Sequence, residues 1–359
     1  MVVLRDGLSV LWRERGVAQI GVDPRCGVVL PGLTDDEQRL LDLLPAGLPL
    51  AEFERAGRDS GVGTERVRHL LAALDRAGVL RPENVPGTER YGPRHPAAPH
   101  AVDAAYWARL RADADGWSVL DRRQACTVGV LGAGRVGMLV ASGLAASGAG
   151  TVLLSDPDVV RSYDVAPGAY HARDIGRPRQ EAGAETLRAL TPLVRTSAPP
   201  RNRPDVCVLV EHGVANPVRA RPLVREDLVH LSVVVGDVDV TIGPLVVPGD
   251  GPCLRCLDLH RCDADDRWPA VATQVAARPA DGTETSLAPL AAALAVGQVL
   301  AWIDGREPET RGASLEVAAI SPVPRRRPWS THPDCGCVEL DHADDANPRD
   351  GRNAPPTPV

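Results

Sequence analysis

The stretch Cys126–Val160, CTVGVLGAGRVGMLVASGLAASGAGTVLLSDPDVV, limits the folds open to this chain more than any other segment. An apolar run, Thr127 to Leu131, leads into Gly132-x-Gly134-x-x-Gly137. An Ala- and Leu-rich helix pattern follows and stops near Gly148, and a second apolar run, Val152 to Leu154, is closed by Asp156. The order is strand, glycine turn, helix, strand. Gly132 permits the tight turn, Gly134 lets backbone N–H groups approach a phosphate, Gly137 lets helix and strand pack closely, and the helix N-terminus favours an anion. Asp156 is spaced to accept ribose hydroxyls. A glycine turn without a ligand is the plain alternative, and the strand context and the acidic residue weigh against it.

The 359 residues are enough for two or more domains, and 44% hydrophobic with 24% charged residues is the balance of a soluble globular protein. A net charge of -7 offers no basic surface for nucleic acid. All 40 basic residues are arginine, which removes lysine from any catalytic scheme. No apolar stretch is long enough to cross a bilayer, and Met1-Val-Val-Leu-Arg5 carries no signal-peptide pattern, so a cytoplasmic chain is expected. In a reducing cytoplasm, close cysteine pairs point to metal or redox chemistry before disulfides.

Residues 1–82 read as a small α+β module. Alternating runs at Leu8 to Trp12, Val17 to Val22 and Gly27 to Leu30 predict an antiparallel meander. Thr34-Asp35-Asp36-Glu37 is a capping box for a first helix, and Leu50 to Arg58 forms a second. A third, capped by Thr64, carries a stripe of Val67, Leu70, Leu71 and Leu74 and stops at Gly78, before a strand-like Val79-Leu80. Strands, three helices and a wing make a winged-helix-like module. Its third helix mixes Glu65, Arg66, Arg68, His69, Asp75 and Arg76, a poor match to a phosphate backbone. The arrangement resembles the recognition element of enzymes that modify ribosomally made peptides, where a leader peptide adds a strand to the meander. A structural or dimerisation role is the bland reading, and DNA binding is the third.

A proline-rich linker is expected at 83–102, and a mainly parallel sheet covered on both faces at 103–338, from strand signals at Val206 to Val210 and Leu231 to Val235 alternating with helices at Arg179 to Leu190 and Val218 to Leu228. Val238 to Ile242 and Leu245 to Val247, parted by Gly243-Pro244, read as antiparallel additions, and Ala288 to Trp302 as a buried helix. Residues 339–359 read as a disordered tail. Cys253-x-x-Cys256 and Cys335-x-Cys337 together supply four thiolates, the set of a closed tetrahedral Zn²⁺ site. Redox pairing of Cys253 with Cys256, and buried free thiols, are the alternatives. Cys262, His260 and His332 are near enough to substitute as ligands, whereas Cys26, Cys126 and Cys207 sit in strand-like segments.

A glycine turn followed by two distant Cys pairs resembles the ThiF/MoeB/HesA family, related to ubiquitin-activating enzymes. The resemblance rests on Leu131-Gly-Ala-Gly-Arg-Val-Gly137, Leu153-Leu-Ser-Asp156-Pro-Asp158-Val-Val160, Gly176-Arg-Pro-Arg179 and the four cysteines. It implies an α/β fold of Rossmann type with a structural zinc, a homodimer, and ATP bound with Mg²⁺. Gly132, Gly134, Gly137, Asp156 and Asp158 would form the nucleotide site, with Arg179 as its phosphate-facing cation. The implied reaction is adenylation of a peptide's or small protein's C-terminal carboxylate. Two departures fall on that chemistry. The family arginine is Pro167 and the family lysine is Arg179, while Glu211 or Asn216 stands near its later aspartate and Arg161, Arg173 and Arg177 are candidate replacement cations. These departures also make the chain resemble ThiF-like partner proteins that bind a leader peptide and present it to a YcaO-type cyclodehydratase.

Overall fold

The computed structural model describes residues 1–87, 90, 95, 97–199, 202–280 and 282–337. The tail expected at 339–359 and part of the expected linker lie outside these residues. The chain divides into two compact units, Met1–Asp121 and a second that begins at Arg122.

In the first unit β1 (Val10–Glu14), β2 (Val17–Ile20) and β3 (Val28–Pro31) form an antiparallel sheet in that order. The helices α1 (Asp35–Leu41), α2 (Leu50–Asp59), α3 (Thr64–Arg76) and α4 (Ala101–Leu110) follow, and α5 (Trp117–Ala125) runs through the division. The capping box forms: Glu37 N–H donates to Thr34 Oγ1 at 3.2 Å and Thr34 N–H to Glu37 Oε2 at 2.9 Å. The buried Glu37 carboxylate also accepts from Arg66 Nε at 2.6 Å, so one side chain closes the start of α1 and ties it to α3. That bond to Arg66 holds Glu37 below the usual carboxylate range. The α3 stripe is buried at Val67, Leu70 and Leu74. Its cap is Gly63 and not Thr64, which begins the helix itself; the extended backbone of Gly63 enters the helix without a side-chain bond. Val79-Leu80 contributes a single bridge, Leu4 to Leu80, and no strand. Buried Arg5 donates to the carbonyls of Ala108, Arg111 and Ala112 at 3.2, 2.6 and 3.1 Å, a cation placed where the carbonyls at the end of α4 lack helical partners.

The second unit runs β4 (Thr127–Leu131), α6 (Arg135–Ala146), β5 (Thr151–Ser155), α7 (Arg179–Leu190), β6 (Val206–His212), α8 (Pro217–Arg225), β7 (His230–Val235) and β8 (Asp239–Val246). It continues with α9 (Leu254–Ala264), α10 (Trp268–Ala276), α11 (Leu287–Ile303), β9 (Ala313–Ala318) and β10 (Ser321–Pro328). The sheet order is β10-β9-β8-β7-β6-β4-β5. The strands β5, β4, β6 and β7 are parallel and β8, β9 and β10 join antiparallel. The central strands read as unbroken Val and Leu runs because helices cover both faces, and Val128, Val130, Val152, Val208, Leu231 and Val233 are fully buried. The apolar helix α11 packs on α6, with Val296 beside Gly143, and its Ala288, Ala291 and Ala295 are fully buried. The two runs expected around Gly243-Pro244 are one strand. A register slip against β7 between Leu231 and Val233 absorbs the irregularity, while pairing with β9 continues through Ile242.

The glycine turn is fixed by close backbone contacts. Gly132 has φ +99°, and a Cβ there would lie 2.2 Å from the carbonyl oxygen of Val210 in β6. A Cβ on Gly137 would lie 1.9 Å from the carbonyl oxygen of Gly132. Neither neighbour is a side chain that can rotate away. We therefore expect Gly137→Ala to destabilise the unit by about 3 kcal/mol, the upper range for overpacking, read as a lower denaturant midpoint. An unchanged midpoint would mean that α6 does not rest on the turn in this way.

Candidate functional site

The strand β4 has β5 on one side and β6 on the other, so the chain leaves it in opposite directions and a crevice opens beyond the carboxyl ends of β4 and β6. Open α/β sheets bind ligands at such a point. A cavity of about 520 Å³ occupies it, lined by Gly132, Gly134, Asp156, Asp158 and Arg179 together with Glu211, Asn216, Arg219 and Arg278. Five of the six residues expected to bind or act on a nucleotide thus meet in one place. The sixth, Gly137, lies behind the turn and supports it.

Asp156 and Arg179 are both buried. The Asp156 carboxylate accepts from Ala133 N–H at 2.6 Å and from Asp158 N–H at 2.9 Å, which fixes it at the end of β5. Arg179, in the first turn of α7, donates from Nη1 to Asp156 Oδ2 at 3.1 Å, and from Nη2 and Nε to Asp164 Oδ2 at 2.8 and 3.1 Å. Burial alone would lower its pKa, but the Asp164 and Asp156 carboxylates outweigh that and raise it. Asp164 is the residue that the sequence pattern did not single out. It caps the short turn Ser162–Asp164 by accepting from Arg161 N–H at 2.8 Å, and it also accepts from Arg135 N–H at the mouth of α6 at 3.2 Å. The spacing of Arg161 to Asp164, a capping-box interval, is the only local signal for it. The fully buried Tyr170 donates its hydroxyl to Ala133 O at 2.7 Å and braces the turn from behind.

On the β6 side, buried Glu211 accepts from Asn216 N–H at 3.0 Å and from Arg219 Nη1 at 3.3 Å, and burial raises its pKa. The Asn216 side chain caps α8 by accepting from Val218 N–H at 2.9 Å. None of Arg161, Arg173 and Arg177 lines the cavity; Arg177 pairs with Asp174 and Glu185. The arginines on its walls besides Arg179 are Arg219 and Arg278.

The four cysteines also meet. Cys253 and Cys256 lie at the start of α9, and Sγ separations are 3.9 Å between them, 3.5 Å from Cys253 to Cys335 and 3.4 Å from Cys256 to Cys337. A tetrahedron of thiolates about 2.3 Å from Zn²⁺ has edges of about 3.8 Å, so this set fits the ion. Four thiols so close resist ionising together without a cation, and burial pushes Cys337 up to about 12. His260, Asp263 and His332 form a separate group. His332 Nδ1 accepts from Asp334 N–H at 3.1 Å, which leaves its Nε2 to donate to Asp263 Oδ2 at 2.9 Å. These histidines therefore steady the loop that carries Cys335 and are not needed as substitute thiol partners. Cys262 is raised by burial and by the nearby Asp258 and Asp263 carboxylates, which blunts it as a nucleophile.

No curated protein sequence matches the chain. Solved structures do match it. One of E. coli MccB with ATP has a TM-score of 0.66 at 16% identity and covers 94% of this chain and 99% of that one. One of the microcin C7 biosynthetic enzyme MccB with N-formylated MccA has a TM-score of 0.66 at 15% identity, with the same coverage. PaaA has a TM-score of 0.67 at 16% identity and covers 90% of this chain and 99% of that one. At such identities the likeness is one of fold. Residues 109–205 match the model of the ThiF family, and this span holds the glycine turn, Asp156, Asp158, Asp164 and Arg179. Over residues 109–205, then, the chain is similar to the ThiF family.

Proposed function

We propose that the crevice binds ATP with Mg²⁺ and that the chain adenylates the C-terminal carboxylate of a peptide in a peptide-modification pathway. The observation that carries this reading is the convergence of Gly134, buried Asp156, Asp158 and Glu211 on one cavity at the mouth of α6. In it Asp156 accepts the ribose hydroxyls, Asp158 and Glu211 are the carboxylates available to Mg²⁺, and the amide end of α6 faces the phosphates. A peptide carboxylate oxygen attacks the α-phosphorus, forming the acyl–phosphate bond as the bond to pyrophosphate breaks. The ATP and MccA complexes of MccB, a protein of the same fold, support a nucleotide and a peptide as ligands. The Sγ spacings of Cys253, Cys256, Cys335 and Cys337 support a zinc there, and we propose that the chain works as a homodimer.

A second reading is favoured by Arg179, whose guanidinium faces two carboxylates inside the protein, and by Pro167 in place of an arginine. In it the chain is a scaffold that grips a leader peptide on its N-terminal module and presents it to a YcaO-type partner without turnover. Pyrophosphate exchange with ATP, Mg²⁺ and candidate peptides separates the two. The enzyme reading expects exchange that Asp156→Asn reduces by at least 100-fold while the variant stays folded; tight peptide binding with no exchange in the native protein would favour the scaffold.

A further inference from the structure

Arg179 is the cation that the sequence offers to the phosphates, yet its Nε, Nη1 and Nη2 are all engaged with Asp156 and Asp164. Two buried carboxylates around one guanidinium leave that trio with an excess negative charge. The trio therefore gives a phosphate chain no net attraction, and Arg179 acts as a positioning residue that makes two acids tolerable at the mouth of α6. The cavity has two further arginines on walls formed by different elements. Arg219 comes from the first turn of α8, and Arg278 from the segment just after α10. Among the described residues each pairs with one acid: Arg219 Nη1 is 3.3 Å from Glu211, and Arg278 Nη1 is 3.3 Å from Asp237. Both side chains are about half exposed, within reach of solvent at the cavity. The Arg278–Asp237 pair lies in solvent, where such pairs are weak and easily exchanged for a phosphate. Arginine presents a planar fork that suits phosphate oxygens in pairs.

We infer, resting on the nucleotide reading above, that Arg219 and Arg278 are the phosphate-facing cations of this site and that Arg179 is not. Arg219, which engages Glu211 through Nη1 alone, holds the phosphates from the β6 side with the rest of its fork. Arg278 exchanges Asp237 for phosphate.

The test compares ATP with adenosine, which shares the base and ribose but carries no phosphate, on the full chain by titration calorimetry. Arg278→Ala and Arg219→Gln are expected to weaken ATP by about 10-fold or more each, and to leave adenosine within about twofold of the native protein. Arg278→Lys is expected to recover part of the ATP affinity, because a point charge remains where the fork is lost. Retained adenosine binding also shows that each variant is folded. Variants that bind ATP as the native protein does would overturn the inference and leave the nucleotide reading intact. Variants that lose adenosine as well as ATP would overturn it too, because the arginines would then hold the nucleoside or the fold. A native chain that binds neither ligand would remove the nucleotide reading and this inference with it.

Discussion

Replacing Arg179 with alanine is expected to destabilise the α/β unit by about 3–5 kcal/mol, the cost of leaving a buried charge without its partner. Asp156 and Asp164 both face Arg179 in the interior, and each also holds a backbone amide of the turn or the helix mouth, so neither is free to swing into water. The loss should appear as a lower urea midpoint with the slope of the transition unchanged. A companion variant isolates the cause. Arg179→Met combined with Asp164→Asn removes one charge of each sign, and it should recover a large part of the stability that Arg179→Ala loses. A loss below about 1 kcal/mol for Arg179→Ala would place the two acids in contact with solvent and would return Arg179 to the role of a free phosphate cation.

The second large effect concerns the four thiols. The native chain should carry about one zinc per molecule by elemental analysis, and Cys256→Ser should carry none. A ligand present a thousandfold above its Kd contributes about 4 kcal/mol to the folded state. Its loss should lower the thermal midpoint by roughly 8–16 °C for a unit of this size. The damage should be local at first. Hydrogen exchange should rise in α9 and in the Ser330–Cys337 segment, which the cysteine cluster joins, before it rises in the sheet. A native preparation that is folded, free of metal and unchanged in midpoint by a chelator would remove the zinc from this account.

Much of this fold is legible because its signals are local. The unit from Thr127 to Asp156 carries its strand, turn, helix and strand in consecutive residues, and all four form as read. The pairing of Thr34 with Glu37 is likewise a matter of three residues. The cysteine cluster was legible for a different reason: four thiols in two turns have few other uses. What stayed hidden depends on residues far apart in the chain. Asp164 meets Arg179 only because the turn at Ser162–Asp164 folds it inward, and no spacing announces that meeting. Arg219 and Arg278 look like ordinary surface arginines until α8 and the segment after α10 bring them to one cavity. The strand β10, Ser321–Pro328, contains three prolines and three arginines, a composition that suits an exposed edge and gives no alternating pattern to detect. The helix α10 is apolar and yet buries none of its residues, so periodicity could not mark it.

The most direct measurement is a crystal structure of the full chain with ATP and Mg²⁺. Ribose hydroxyls are expected on the Asp156 carboxylate and phosphates at the amide end of α6 between Arg219 and Arg278, with Arg179 still bound to Asp164. A crevice that holds no nucleotide at saturating concentration, or a nucleotide bound away from Asp156, would contradict that expectation.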